Sequence, residues 1–273
     1  MISPKIIWTY WHQGFDHAPY LVKKCIDRFY QFHPEWTIYL LDKDSVHDFI
    51  EPVPLTSYAQ ENISIAHWSD LIRTQLLVKN GGVWADPTVY FMKPLDEWLP
   101  DYMDSGLFMF HRPGRDRIIS NWFIAANREN ILLEKVYTEL IDFWNSYRFL
   151  NFNGDDALQK QLNRIINRNL WLPRIWFSGI FQKVFRRFPY MVYHYKCYDV
   201  IRKYSESQKI YKTMPKYNAD WPHKVQRMGM LAELTNESKE FFMETEIPLF
   251  KLNWKIDESK IKENTNLAYL FAT

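Results

Sequence analysis

The chain has 273 residues, with 34 lysines and arginines against 32 aspartates and glutamates and a formal net charge of +2. That balance removes the argument for a nucleic-acid binder. The two distant cysteines, Cys25 and Cys197, suggest neither a disulfide framework nor a cysteine zinc site and read as reduced core thiols. The anomaly is aromatic: 12 Trp, 17 Tyr and 19 Phe suit stacking on sugars and bases or resting at a lipid interface, although dense packing also absorbs such rings.

The first residues, MISPKIIWTYW, carry no basic segment followed by an apolar run and a cleavage site. The most apolar stretch, LWLPRIWFSGIF, is cut by Pro173 and Arg174. The expectation is a cytoplasmic protein, soluble or peripheral on the inner face of the plasma membrane. In chain order, Ile6–Trp8 predict a short buried strand and WHQG a loop. Residues 19–32 place Leu21, Val22, Cys25, Ile26, Phe29 and Phe32 at helical spacing, with Pro19 suited to a first turn and His33-Pro34 as a stop. TIYLL at 37–41 predicts a second strand, and Asp42 to Ser45 a turn and helix cap. A helix over 64–79, capped by Asn62 or Ser64 and ended by Asn80-Gly81, leads to a third strand at Val83–Ala85 with Asp86 just past its end.

Strand, helix, strand, helix, strand argues for an α/β domain on a parallel sheet, whose ligands gather at the carboxyl ends of the strands, where WHQG and Asp86 lie. Further strands are expected at 106–110 and 122–126, flanking a basic loop HRPGRDR, and helices follow in ILLEKVYTELIDFWNSY and DDALQKQLNRIINR. No repeat, low-complexity segment or Pro/Gly linker marks an independent second domain. The division is an α/β core over 1–128 and a helical lobe over 129–273, forming one structural unit. Residues 170–188 interleave Trp, Phe and Ile with Arg174, Lys183, Arg186 and Arg187, the pattern of a helix lying on an anionic bilayer or packed on the lobe.

Asp70 and Arg73, three apart, share one face of a helix apolar over most of its surface, so they are expected to be paired or used. Asp86 before a nucleotide site can hold a ribose hydroxyl or orient a metal's water, and Thr88 adds a neutral oxygen, although an Asp before Pro is also an ordinary turn former. The NGG turn lacks the Lys-Ser/Thr of a phosphate-binding loop. HRPGRDR offers Arg112, Arg115 and Arg117 to a diphosphate, or is a solvated basic loop.

The segments SPKIIWTYWHQG, HPEWTIYLLD, SDLIRTQLLVKNGGVWADPTV, SNWFIAA, NADWPH and LFKLNWK, in that order, resemble the capsular polysaccharide synthesis proteins, bacterial relatives of glycosyltransferase family 32. The specific part is the spacing from Ser69-Asp70 through Arg73 and Gly81-Gly82 to Asp86. The resemblance implies a GT-A-like fold and a retaining transfer from a nucleotide sugar, a UDP-sugar by preference, to a capsular or extracellular polysaccharide repeat unit on an undecaprenyl-diphosphate carrier. It implies catalytic roles for Asp70, Arg73 and Asp86, with Asp70 and Arg73 on the donor sugar and Arg73 also able to offset diphosphate charge. Asp86 matches the first acid of the Asp-x-Asp motif, and Thr88 stands at the second, as it does in capsule-type relatives. Tyr10 and Trp11 match the aromatic site near the base. Gly82, Asn121, Asn253 and Trp254 complete the donor-binding set. Mn²⁺ or Mg²⁺ is the implied cofactor, held by Asp86, with His223 able to supply a further ligand or to serve in capping or packing. A different reading, suggested by Thr88 and the aromatic excess, is a catalytically silent carbohydrate- or nucleotide-binding assembly subunit at the membrane.

Overall fold

A computed structural model describes residues 4–146 and 156–273. Its organisation follows from strands that are apolar on both sides: along β1 (Ile6–Tyr10), Ile7 faces one way and Trp8 and Tyr10 the other, and along β3 (Gly82–Ala85), Val83 and Ala85 oppose Trp84. These join β2 (Thr37–Leu41), β5 (Leu107–Gly114) and β6 (Arg117–Ala126) in a five-stranded sheet of order β2-β1-β3-β6-β5. β1 runs parallel to β2 and β3, as expected of the first three strands, while β6 is antiparallel to β3 and β5 to β6, so the sheet as a whole is mixed. The strands near 106 and 122 are a hairpin, which fixes their opposite directions. A second, antiparallel pair joins β4 (Val89–Phe91) to β7 (Leu249–Lys251), neither of them anticipated.

The helices are α1 (Tyr20–Phe32), α2 (Ser57–Asn62), α3 (Ile65–Asn80), α4 (Leu95–Trp98), α5 (Ile131–Ser146), α6 (Ala157–Ile166), α7 (Val192–Lys203), α8 (Ser205–Thr213), α9 (Lys224–Met228), α10 (Asn236–Glu244) and α11 (Asn266–Ala272). One sheet face, with Trp8, Trp84 and Ile124, packs on Leu71, Ile72 and Leu76 of α3, Val136 and Leu140 of α5, and Val192 and Val200 of α7. The other, with Ile7, Val83, Ala85 and Phe123, packs on Val22, Ile26 and Phe29 of α1. Leu21 and Cys25 on another side of α1 meet Tyr90, Phe250, Phe242, Leu267 and Leu270. Residues after 128 thus cover a sheet face and, through β7, extend a strand pair begun at β4. Among the described residues no helix is long and apolar enough to cross a membrane.

α3 is buried nearly all round, at His67, Asp70–Thr74, Leu76 and Leu77, because it lies between the sheet and α5. Ser64 accepts from the His67 backbone N–H and starts it; Gly81, at φ 69°, ends it by donating to the Leu77 carbonyl at 2.8 Å. That left-handed turn returns the chain directly into β3.

Two expectations fail locally. HRPGRDR is part of a hairpin rather than an open loop: β5 runs to Gly114 and β6 starts at Arg117, and while Arg112 and Arg115 are exposed, the buried Asp116 accepts from Tyr195 Oη and pairs with Arg117. The backbone of His111 is further tied to Tyr217 and Ala219. Residues 170–188 form a 3-10 turn over Leu172–Phe177 and a π turn over Ile180–Phe185 rather than one amphipathic helix. Pro173, Gly179 and a left-handed Arg186 (φ 52°) interrupt it. Tyr147, at the end of one expected helix, and Asp155, at the start of the next, lie outside the described residues.

Candidate active site

A cavity of about 930 Å³ opens at the carboxyl ends of β1 and β3, a size typical of a small-molecule site. Its lining comes from the loop after β1, from α3, from the turn after β3, from β6, and from the C-terminal half. All of the expected site residues except Gly82 reach it. Gly82 is buried at the start of β3 with φ 94°, and a Cβ there would lie 2.8 Å from the Ile6 carbonyl oxygen. Its requirement is close approach of β3 to β1, so the structure gives it no contact with a ligand in the cavity.

The floor is a network of four side chains. Arg73 on α3 is 6% exposed; its Nε lies 3.5 Å from Asp70 Oδ1 and its Nη1 3.3 Å from Asp86 Oδ1. The same guanidinium donates to the Ser69 carbonyl, to Ser69 Oγ and to the Asn121 carbonyl, and lies over the Trp84 ring at 4.8 Å. Its donors are therefore directed at the protein, and its part is to hold both acids rather than to reach across the cavity. Asn121 Nδ2 donates to Asp70 Oδ1 at 2.7 Å, tying β6 to α3. Trp84 Nε1 donates to Asp86 Oδ1 at 3.0 Å, and the Asp86 backbone N–H donates to the Trp122 carbonyl at 2.8 Å.

The two carboxyls differ in protonation for a physical reason. Burial lifts Asp70 to about 7; Arg73 opposes the rise and the Asp86 charge adds to it. Burial also acts on Asp86, yet Lys251 and Arg73 together outweigh it and hold its carboxyl below the ordinary range. Asp86 is therefore the fixed anion of the site, and Asp70 changes charge near neutrality.

Lys251 is a site residue outside the expected set. The β4–β7 register sets Val89 opposite Lys251, and Leu252 N–H donates to the Thr88 carbonyl at 2.8 Å. Lys251 Nζ consequently donates to Asp86 Oδ2 at 2.9 Å and to Thr88 Oγ1. Asp86 and Thr88 are the oxygens that a divalent ion on a DXD-like motif would use, and in this arrangement they converge on an ammonium. Among the described residues no group of three or more His, Cys, Asp or Glu side chains is placed to hold a metal. His223 lines the cavity; its Nδ1 donates to the Ala219 carbonyl at 2.7 Å, which leaves the lone pair on Nε2, and its ring meets Trp122 edge-on. With the Lys251 ammonium already on Asp86 Oδ2 and Thr88 Oγ1, the donor set as arranged does not fit Mn²⁺ or Mg²⁺.

At the other end the cavity is aromatic. Trp11 and the partly exposed Trp254 meet edge-to-face at 5.3 Å, joining the loop after β1 to the segment after β7. Tyr10 Oη pairs with His12 Nδ1 at 2.7 Å, and Asn253 Oδ1 accepts from the Lys255 N–H. Tyr190, His194 and Arg117 also line the cavity, a group that the sequence does not bring together. Among the described residues, the buried His194 has no hydrogen-bond partner at Nδ1, and burial followed by Arg117 holds it well below its ordinary value. No periodic signal marks these residues, which a tertiary contact of α7 with β6 assembles.

Comparison with known proteins agrees with the resemblance seen in the sequence. The model of the family described as capsular polysaccharide synthesis protein matches residues 2–152, more than half of the chain. An O-glycosyltransferase, braB, of Annulohypoxylon truncatum is 26% identical over 49% of this chain and 36% of its own length. The O-glycosyltransferase PaGT of Phomopsis amygdali is 28% identical over 57% and 40%. The chain thus spans less than half the length of these relatives. Among solved structures, the PaToxG glycosyltransferase aligns over 82% of this chain and 84% of its own at 13% identity, with a TM-score of 0.38. The family match covers α3, the Gly81-Gly82 turn and Asp86, the same elements that build the floor of the cavity, and the chain belongs to the capsular polysaccharide synthesis protein family.

Proposed function

We infer that the protein is a glycosyltransferase of GT-A-like type that moves a hexose from a nucleotide sugar, a UDP-sugar by preference, to a saccharide acceptor with retention at the anomeric carbon. The observation that carries the reading is the division of one cavity into a charged floor of Asp70, Arg73, Asp86 and Asn121 and an aromatic end of Tyr10, Trp11 and Trp254. The family and the names of the relatives support it.

In this reading the base rests against the Trp11–Trp254 corner, the Asp86 carboxylate receives ribose hydroxyls, and Asp70, held by Asn121, receives hydroxyls of the donor sugar. The bond from the anomeric carbon to the β-phosphate oxygen breaks while the acceptor oxygen bonds to the same face. The acceptor proton passes to the departing phosphate oxygen. Orientation of the acceptor and stabilisation of charge on that oxygen are the main demands on the protein. A lipid-linked acceptor, carried on undecaprenyl diphosphate at the membrane, fits the exposed Trp171, Ile180, Val184 and Phe185 beside Arg174 and Lys183.

The test is release of free nucleoside diphosphate from a panel of UDP- and GDP-hexoses. Release from one donor supports the transferase and names its sugar. Nucleotide binding without turnover, even with lipid-linked acceptor, would favour the silent assembly subunit, and failure to bind any nucleoside diphosphate removes the reading. Co-flotation with vesicles containing anionic lipid tests the membrane contact.

A further inference from the structure

The oxygens of Asp86 and Thr88 share one cation that belongs to the chain itself. We propose that Lys251 is the diphosphate-binding cation of this site, occupying the place between Asp86 and Thr88 that a divalent metal would otherwise take, so that donor binding and leaving-group stabilisation are metal-independent. The inference rests on the transferase reading and specifies how its site handles the diphosphate.

The geometry behind it is built from the backbone outward. The Lys251 N–H donates to the Pro222 carbonyl at 2.9 Å, and its carbonyl accepts from Gln226 Nε2 at 2.6 Å, so the residue is held on both sides of the strand. Its side chain is 16% exposed and ends in the cavity, with Nζ on Asp86 Oδ2 and Thr88 Oγ1. An ammonium has three donors. Two are engaged by these oxygens, and the third remains for a phosphate oxygen. Lysine acts on phosphate as a compact point charge, in contrast to the planar fork of arginine. The neighbouring Arg73 directs its donors at Ser69, Asn121 and the two acids, so beside Asp86 it is Lys251, reaching in from the wall, that can meet an incoming anion.

Thr88 also acquires a reason in this arrangement. A second carboxylate would add charge that one ammonium could not balance, whereas a hydroxyl orients Nζ without cancelling its charge. As the bond from sugar to β-phosphate breaks, the electron pair goes to the phosphate oxygen, and Lys251 stands where that charge develops. A divalent ion on the same two oxygens would meet the ammonium at short range and be repelled by it.

The experiment is calorimetric titration of the full chain with UDP and GDP, in excess EDTA and in Mn²⁺, on wild type, Lys251→Ala and Lys251→Gln, with donor hydrolysis measured in parallel. Expected is wild-type binding in EDTA within threefold of that in Mn²⁺, and a loss of at least tenfold in both variants that Mn²⁺ does not restore. Wild-type binding that collapses in EDTA and returns with Mn²⁺ overturns the inference while leaving the transferase reading intact. So does wild-type affinity in a folded Lys251 variant, checked by circular dichroism. Absence of nucleotide binding in both buffers instead removes the transferase reading, and the inference with it. The chelator arm needs no variant, so misfolding of both substitutions still leaves a decisive result.

Discussion

The floor and the closing wall of the cavity are built on different principles. The floor joins α3, the turn after β3 and β6, and its charges satisfy one another: Arg73 sits between Asp70 and Asp86, and Asn121 braces Asp70. The wall comes from residues beyond 189 and brings groups with capacity to spare, including the third donor of Lys251, the unpartnered Nδ1 of His194 and the partly exposed Trp254 ring. A floor of this kind resists change because removing one member strands the others, whereas the wall can give up contacts to the protein in exchange for contacts to a ligand. Stability should therefore be concentrated below the ligand and affinity above it.

The largest effect should come from the centre of the floor. Arg73→Met leaves Asp70 and Asp86 without a shared partner, and loss of one member of such a buried network costs about 3–5 kcal/mol. Chemical denaturation should show that loss as a lower midpoint; a midpoint within error of wild type would mean that the floor is not a mutually dependent unit. Asp86→Asn comes next. It keeps the shape and the Trp84 contact but removes the fixed anion between Arg73 and Lys251, and release of nucleoside diphosphate from the donor should fall by about 100-fold, on the scale of losing one electrostatic group in an active site. A fall below tenfold, with the fold intact, would take Asp86 out of the machinery.

The contrast between floor and wall also separates the residues that are legible in the sequence from those that are not. Ser64, Gly81 and the apolar periodicity fix α3, and an i,i+3 pair on a helix needs no tertiary information, so Asp70, Arg73 and the acid after the next strand are legible. Lys251 is not. Its place depends on two three-residue strands separated by more than half of the chain, with no hairpin turn to announce their pairing. A lysine after Leu249-Phe250 looks like the solvent side of a strand end. Residues 170–188 fail for another reason: alternation of rings and cations describes a surface, but Pro173 and Gly179 decide the backbone. The double glycine ahead of Asp86 directs Gly82 to the ligand on sequence alone, although the contact that forbids a side chain there is with Ile6.

A smaller effect tests the charge state of Asp70. Its folded pKa of about 7 lies above the unfolded value of about 3.9. The group's contribution to stability is therefore fully present below about pH 4 and is lost as pH rises through about 7. Asp70→Asn, fixed in the neutral form, removes that dependence. The melting temperature of the variant relative to wild type should be higher at pH 8 than at pH 5, by about 5–10 °C on the usual conversion for a chain of this size. An unchanged difference between the two pH values would place the Asp70 titration outside this range. Donor hydrolysis should show the same group as an acid limb near pH 7 in wild type, absent from Asp70→Asn.

The smallest effect concerns His223, the wall residue expected on a metal. It stands immediately before α9, donates from Nδ1 to the Ala219 carbonyl and packs edge-on against Trp122. Burial lowers its pKa, so it contributes no positive charge at neutrality. Those contacts are matters of local packing, and His223→Gln can keep a donor toward Ala219. Nucleotide affinity should change by less than threefold, equally in EDTA and in Mn²⁺. A loss of tenfold or more confined to Mn²⁺ buffer would make His223 a ligand after all. The ammonium of Lys251 would then have to leave Asp86 and Thr88 when the ion arrives, and the wall would owe its affinity to a metal rather than to its own cation.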